Sequence, residues 1–379
     1  MKAPILVVVG TRPDAIKLLP IYQALKDAGL PAALCATDQH TSLLQQVLTT
    51  FSVTPDISLA IPRTDGSLTT LVAEILQKMR SLFITTRPSL VIVQGDTTSA
   101  LAAALAAFHE HIPVAHIEAG LRTYDTANPF PEEMNRTIIG QLATYHFAPT
   151  PYNHAALLTE HIAADKIFCV GNTVIDALCL IQKQLGTGQL TVSPELEKLV
   201  TNAQDTYKKI VLITAHRRES FAGGLERIMR AVRRIAILQQ DTLFIFPVHL
   251  NPAVQAAVLA ANYHDQPNII CIDPLPYHEL IWLLEHVSWI MTDSGGIQEE
   301  AHYLQKRMIV MRNVTERVEV VTSGMGELVG TDEDAIVAAA CHIQQEEVSS
   351  QSRYVYGDGH AATRIVAILK KYHHAAQTV

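Results

Sequence analysis

Short apolar runs alternate with longer stretches of helical spacing along most of the chain. The first set of runs is ILVVVG (5–10), AALCAT (32–37), LVIVQGD (90–96), PVAHIEAG (113–120), YHFAPT (145–150) and IFCVGNT (167–173). Helical patterns such as LVAEILQKMRSLFITT (71–86) separate them. Continuous runs with no polar alternation fit strands buried on both faces, and intervening helices make these βα units of a parallel sheet. A second set follows: IVLITAH (210–216), LFIFPVH (243–249), NIICID (268–273), WIMTD (289–293), MIVMR (308–312) and a weaker ELVG (327–330). Between the sets, residues 185–209 are polar and punctuated by Gly and Pro, which marks a linker region. The pattern predicts an α/β protein of two Rossmann-like, doubly wound parallel-sheet domains, 1–172 and 173–360, facing a central cleft. A C-terminal helix, 361–379, is expected to cross back to the first domain.

Composition narrows the class. At 379 residues the chain exceeds a usual single core. No apolar run approaches the ~20 residues of a membrane span, and the opening MKAPILVVVGTRPD passes straight into a loop motif, as a first strand does and a signal peptide does not. Five scattered cysteines suit neither a disulfide framework nor a metal site, and point to the cytoplasm. The net charge of −8 argues against nucleic acid as a partner. An anionic ligand must then be held by local positive charge.

Polar motifs fall where the strands end. GTRPDAIK follows the first run, GDTT the third, EAGLRT the fourth, AHRRES the first of the second set, and DSGGIQEE the WIMT run. In open α/β sheets ligands bind at the carboxyl ends of strands. DSGGIQEEA carries the sharpest chemistry: Asp293 and Ser294 can cap a helix, while Gly295 and Gly296 bring bare backbone N–H groups to an anion. Glu300 would repel a phosphate there and suits sugar hydroxyls. Arg12 suits a phosphate fork and Lys17 a point charge. Asp96 either caps the alanine-rich helix after it or joins Glu118 and Glu132 in a carboxylate cluster of the kind acid/base chemistry needs. Arg136, one turn from Glu132, can keep it ionised. His216, Arg217 and His249 supply titratable and cationic groups from the second half; their separate loops do not have metal-site spacing. Arg317 can pair with a carboxylate or reach a ligand.

With PFPEEMNR (129–136), GNTVID (171–176), PVHLNP (247–252), TERVE (315–319) and YGDG (356–359), these motifs resemble the bacterial non-hydrolysing UDP-N-acetylglucosamine 2-epimerases, in the same order and over nearly the whole chain. The resemblance implies a glycosyltransferase-B-like fold and a homodimer that interconverts UDP-GlcNAc and UDP-ManNAc. The reaction is an anti elimination of UDP to 2-acetamidoglucal followed by re-addition, with no cofactor and no metal. It implies catalytic roles for Asp96, Glu118, Glu132 and His216. It further implies substrate binding by Arg12, Lys17, Arg136, Arg217, His249, Ser294, Gly295, Gly296, Glu300 and Arg317. Some members bind a second UDP-GlcNAc as an allosteric activator. Here Gln39-His40 is followed by Thr41 where a basic residue is common. Asp14, Tyr124, Leu275 and Val318 also depart from the family pattern. A hydrolysing epimerase, a glycosyltransferase of the same architecture and an inactive nucleotide-sugar sensor are the competing expectations.

Overall fold

The computed structural model describes residues 3–37, 41–61, 66–217, 220–221, 223–343 and 353–376. Gln39 and His40 lie outside them, as do Arg218 and Glu219. The chain divides into two compact units: residues 1–180 with 356–379, and residues 181–355.

In the first unit the strands are β1 (Ile5–Val9), β2 (Ala32–Ala36), β3 (Ile57–Ser58), β4 (Leu90–Gln94), β5 (Val114–Ile117), β6 (Tyr145–Ala148) and β7 (Ile167–Cys169). They form one sheet in the order β3-β2-β1-β4-β5-β6-β7, with every pair parallel. Helices α1 (Arg12–Asp27), α2 (Thr41–Thr50), α3 (Leu68–Thr86), α4 (Thr98–His109), α5 (Glu132–Leu142) and α6 (Pro151–Thr159) are spaced between them. Leu90 to Val93 are buried without a break, as expected of a strand covered on both faces. The two-residue β3 is too short to leave a periodic signal in the sequence.

Helix α7 (Thr173–Gly186) contains the boundary between the units. Its first half belongs with the first unit because Asp176 accepts hydrogen bonds from the N–H groups of Ala361 and Ala362, at the start of the last helix. The stretch expected as a linker contains α8 (Pro194–Thr206), which buries Leu196, Val200 and Ala203. Polar residues elsewhere on α8 hide this narrow stripe in an overall composition.

The second unit holds β8 (Lys209–Thr214), α9 (Gly224–Leu238), β9 (Thr242–Pro247), α10 (Pro252–Ala261), β10 (Ile269–Ile272), α11 (Tyr277–His286), β11 (Trp289–Thr292), α12 (Gly295–Tyr303), β12 (Arg307–Val310), α13 (Val318–Thr322), β13 (Gly326–Leu328) and α14 (Glu333–His342). Its parallel sheet has the order β10-β9-β8-β11-β12-β13. Phe244, Phe246, Trp289 and Met291 of the sheet pack with Ile228, Val232 and Ile235 of α9 in one buried cluster. The final helix, α15 (Ala361–Ala376), belongs to the first unit.

Both sheets reverse their winding once, between β1 and β4 and between β8 and β11. At such a reversal the loops leaving two adjacent strands turn to opposite faces and open a crevice.

Candidate active site

In the first unit the segments following β1 and β5 bring two expected residues, Lys17 and Glu118, together. Lys17, on the second turn of α1, is buried and its ammonium is committed to Glu118 in an ion pair. Lys17 is therefore a partner of the carboxylate at least as much as a charge for a ligand. Glu118 also accepts hydrogen bonds from the amides of Gln94 and of Asn172, the latter at 2.8 Å. Its φ of 62° lies in the left-handed region, which costs a residue with a side chain of order 1–3 kcal/mol. That backbone directs the carboxylate to these donors.

Asp96 follows β4 after Gly95. It does not cap α4: Thr97 is the N-cap, its hydroxyl accepting from Ala100 N–H at 3.1 Å. Asp96 instead pairs with Arg136. Arg136, expected beside Glu132, also bonds to Glu133 at 3.2 Å, one turn away on α5. Glu133 is buried and accepts from the N–H groups of Thr123 and Tyr124 at 3.0 and 2.9 Å. It thus ties the segment after β5 to the helix bearing Arg136, a role that no local spacing distinguishes from that of its neighbour. Glu132 is the first residue of α5, where the helix dipole favours an ionised carboxylate.

Two buried groups support these loops. Asp14 closes the N-terminus of α1, accepting from Gly10 and Thr11 N–H, both at 3.1 Å, and from the Thr97 hydroxyl at 3.3 Å. Burial pushes its pKa up to about 6 against these hydrogen bonds. His116 Nε2 lies 2.7 Å from the Gly95 carbonyl, and burial lowers its pKa to about 3. The ring is neutral at pH 7, so Nε2 carries the proton and donates. Arg12 is half-buried at the first position of α1. Gly10 is required by a close approach: a Cβ there would stand 2.6 Å from that of Ser99.

In the second unit the loops after β8 and β11 meet at Asp293. Its carboxylate is fully buried and does not cap α12, as the sequence suggested; it accepts the backbone N–H groups of His216 and Arg217 at 2.7 and 2.8 Å. His216 Nδ1 lies 3.3 Å from the other oxygen, and the imidazole stacks on His249 with ring centroids 5.2 Å apart. Arg217 Nε is buried without a partner among the described residues. Helix α12 starts at Gly295 after Ser294, whose side chain makes no capping bond. The first N–H groups of a helix have no intrahelical acceptors, so this end suits an anion.

Arg317 lies against that helix end. Its guanidinium bonds to Glu299 at 2.9 Å and Glu316 at 2.6 Å, and Glu316 also receives Arg312 at 2.9 Å. A Cβ at Gly295 would come within 2.6 Å of Arg317 Nη1, whereas one at Gly296 would meet nothing within 4 Å. The first glycine admits the arginine; the second leaves open space before the helix. Glu300 is buried and receives the Tyr277 hydroxyl at 2.8 Å, which turns one oxygen away from a free role and orients the other. Tyr277, Gln94 and Asn172 carry too little local signal to stand out in the sequence, and Asp293, legible there only as a helix cap, serves the loop after β8 instead.

Thus Arg12, Lys17, Asp96, Glu118, Glu132 and Arg136 belong to the first unit, and Arg217, His216, His249, Ser294, Gly295, Gly296, Glu300 and Arg317 to the second. Among the described residues no three metal-ligating side chains form a metal-binding group, and no helix is long and apolar enough to cross a membrane.

Known proteins with the same architecture carry a consistent description. A family model for UDP-N-acetylglucosamine 2-epimerase matches residues 23–370. The UDP-N-acetylglucosamine 2-epimerase of Escherichia coli O157:H7 is 45% identical over 373 residues, covering 97% of this chain and 98% of its own. The crystal structure of the Neisseria meningitidis UDP-GlcNAc 2-epimerase bound to UDP-GlcNAc superposes with a TM-score of 0.89 at 36% identity, over 97% of this chain and 100% of its own. The Staphylococcus aureus MnaA structure with UDP gives 0.89 at 35% identity, over 98% and 97%. Sheet order, strand-end motifs and whole-length similarity agree, and the chain belongs to the UDP-N-acetylglucosamine 2-epimerase family.

Proposed function

We propose that this epimerase interconverts UDP-GlcNAc and UDP-ManNAc without hydrolysis. The observation that carries the reading is the pairing of Asp96 with Arg136 and of Glu118 with Lys17, the two carboxylates standing at the ends of β4 and β5. Two carboxylates at the ends of neighbouring strands, each held by a cation, are what removal of a weakly acidic C2 proton, and its return on the other face, require. One carboxylate takes the C2 proton; that electron pair forms the C1=C2 double bond, and the C1–O pair leaves with UDP. The diphosphate oxygen then re-adds to C1 while a proton reaches C2 from the opposite face.

The second unit takes the nucleotide. Ser294, Gly295 and Gly296 at the α12 N-terminus, with His216, Arg217, His249 and Arg317, stabilise the charge that develops on the leaving diphosphate. Glu300, steadied by Tyr277, accepts ribose hydroxyls. Glu132 assists the proton transfers. No cofactor takes part. Five free cysteines favour a reducing cytoplasm. Exposed Phe108, Met134 and Ile138 on α4 and α5 suit burial against a second copy, as a homodimer. A second UDP-GlcNAc activates the enzyme allosterically, which the dependence of the reverse reaction on added UDP-GlcNAc tests.

Incubation with UDP-GlcNAc in D2O, followed by proton NMR, tests the chemistry. A mixture of UDP-linked sugars with deuterium at C2 supports it. Free ManNAc with UDP would replace it by the hydrolysing reading. Unchanged substrate would sink both.

A further inference from the structure

We infer that Gln94 and Asn172 are positioning residues for epimerisation, holding the Glu118 carboxylate by neutral amide donors on both of its oxygens. The inference rests on the reaction proposed above. Glu118 Oε1 receives Lys17 and Asn172, while Oε2 receives Gln94. Only one of these three donors is charged. The lysine balances the carboxylate, and the amides set its direction without adding a second positive charge that would hold the proton off.

Each amide is itself fixed. Gln94 is the last residue of β4, buried to within 3% of full exclusion, and the next residue is Gly95, whose left-handed backbone brings it to Glu118. A Cβ at Gly95 would stand 3.3 Å from Glu118 Oε2, so no side chain intervenes. Asn172 is 2% exposed. Its Oδ1 accepts Val174 N–H at 3.2 Å, which settles the amide orientation and leaves Nδ2 for Glu118. Its own N–H donates to the Tyr356 carbonyl at 2.7 Å, where Gly171 and Gly357 pass in close contact. Asn172 therefore hangs from the junction at which the C-terminal segment rejoins the first unit. A buried amide pinned at its other end transmits a fixed direction to what it binds. The left-handed φ of Glu118 needs such support, because that backbone is not its own preference.

The variants are Gln94→Met, which keeps length and removes the donor, Gln94→Glu, and Asn172→Asp, which keeps shape and replaces the donor with a like charge. Melting temperature establishes folding, and steady-state kinetics with UDP-GlcNAc are measured from pH 5 to 9. Each folded variant is expected to lose at least tenfold in kcat with KM within threefold. The acid limb of the kcat–pH profile should move to higher pH, most in the two carboxylate variants, because Glu118 loses a donor to its ionised form. A merely structural role would lower the melting temperature and leave that limb in place. Folded variants of an active wild type with kcat within twofold and an unshifted limb would overturn the inference. An inactive wild type is a different result: it overturns the reaction on which the inference depends. Should Asn172→Asp not fold, the two Gln94 variants decide the matter alone.

Discussion

Substituting Gly296 by valine should separate ligand binding from folding. A Cβ at this position meets no atom within 4 Å, and the glycine is the second residue of α12. Valine has a helix propensity better than glycine by a few tenths of a kcal/mol, so the fold should be unaffected or slightly stabilised. The valine methyl groups would instead occupy the open space before the helix end, where the proposal puts the diphosphate. Each N–H donor to a charged group is worth about 1.5–3 kcal/mol. Losing two such bonds removes about 3–6 kcal/mol, which at 1.4 kcal/mol per decade is a loss of at least about 100-fold in UDP affinity. Gly295→Ala provides the contrast. Its Cβ would press on the Arg317 guanidinium at 2.6 Å, and that group is anchored by two buried glutamates. Overpacking of this kind costs about 1–3 kcal/mol, a fall of several degrees in melting temperature. Titration calorimetry with UDP and thermal unfolding on both variants check the pair. A folded Gly296→Val protein that binds UDP within threefold of the wild type would refute the placement of the diphosphate.

Asp96→Asn and Glu118→Gln should each lower turnover by about 100-fold or more with UDP affinity within a few-fold, as expected of acid/base groups; wild-type turnover in both would remove them from the chemistry. Arg136→Met should destabilise the first unit by about 3–5 kcal/mol in denaturant unfolding, because buried Glu133 loses its cation; adding Glu133→Gln should recover part of the loss. Burial raises the Asp176 pKa from 3.8 to about 6. The folded state thus binds this proton more tightly than the unfolded chain, and the associated stability is present below about pH 4 and lost as pH rises through about 6. Melting temperatures should accordingly show the wild type losing ground to Asp176→Asn between pH 4 and pH 7, and a constant difference would contradict the shift.

Local pattern was enough to place every parallel strand but the two-residue β3, and the polar motifs at their ends. An apolar run of five residues and a helix with a buried stripe are recorded in consecutive positions, and so is a glycine pair before a helix. Asp96, Glu118, His216 and Ser294–Gly296 were visible for that reason, and the order of their motifs carried the family. What sequence could not express was which of these groups meet. Lys17 and Glu118 are 101 residues apart, Arg136 and Asp96 are 40, and the Asp293 carboxylate reaches back 77 residues to His216. Those pairings follow from strand order: β4 lies between β1 and β5, and β11 beside β8, so loops distant in the chain leave the sheet side by side. Gln94 and Asn172 are ordinary amides until that order sets them against Glu118. Asp293 looks like a helix cap until β8 and β11 pair and present it with two N–H groups. Strand identity is a property of local side chains, whereas the partner of a buried charge is chosen by the packing that excludes water from every alternative.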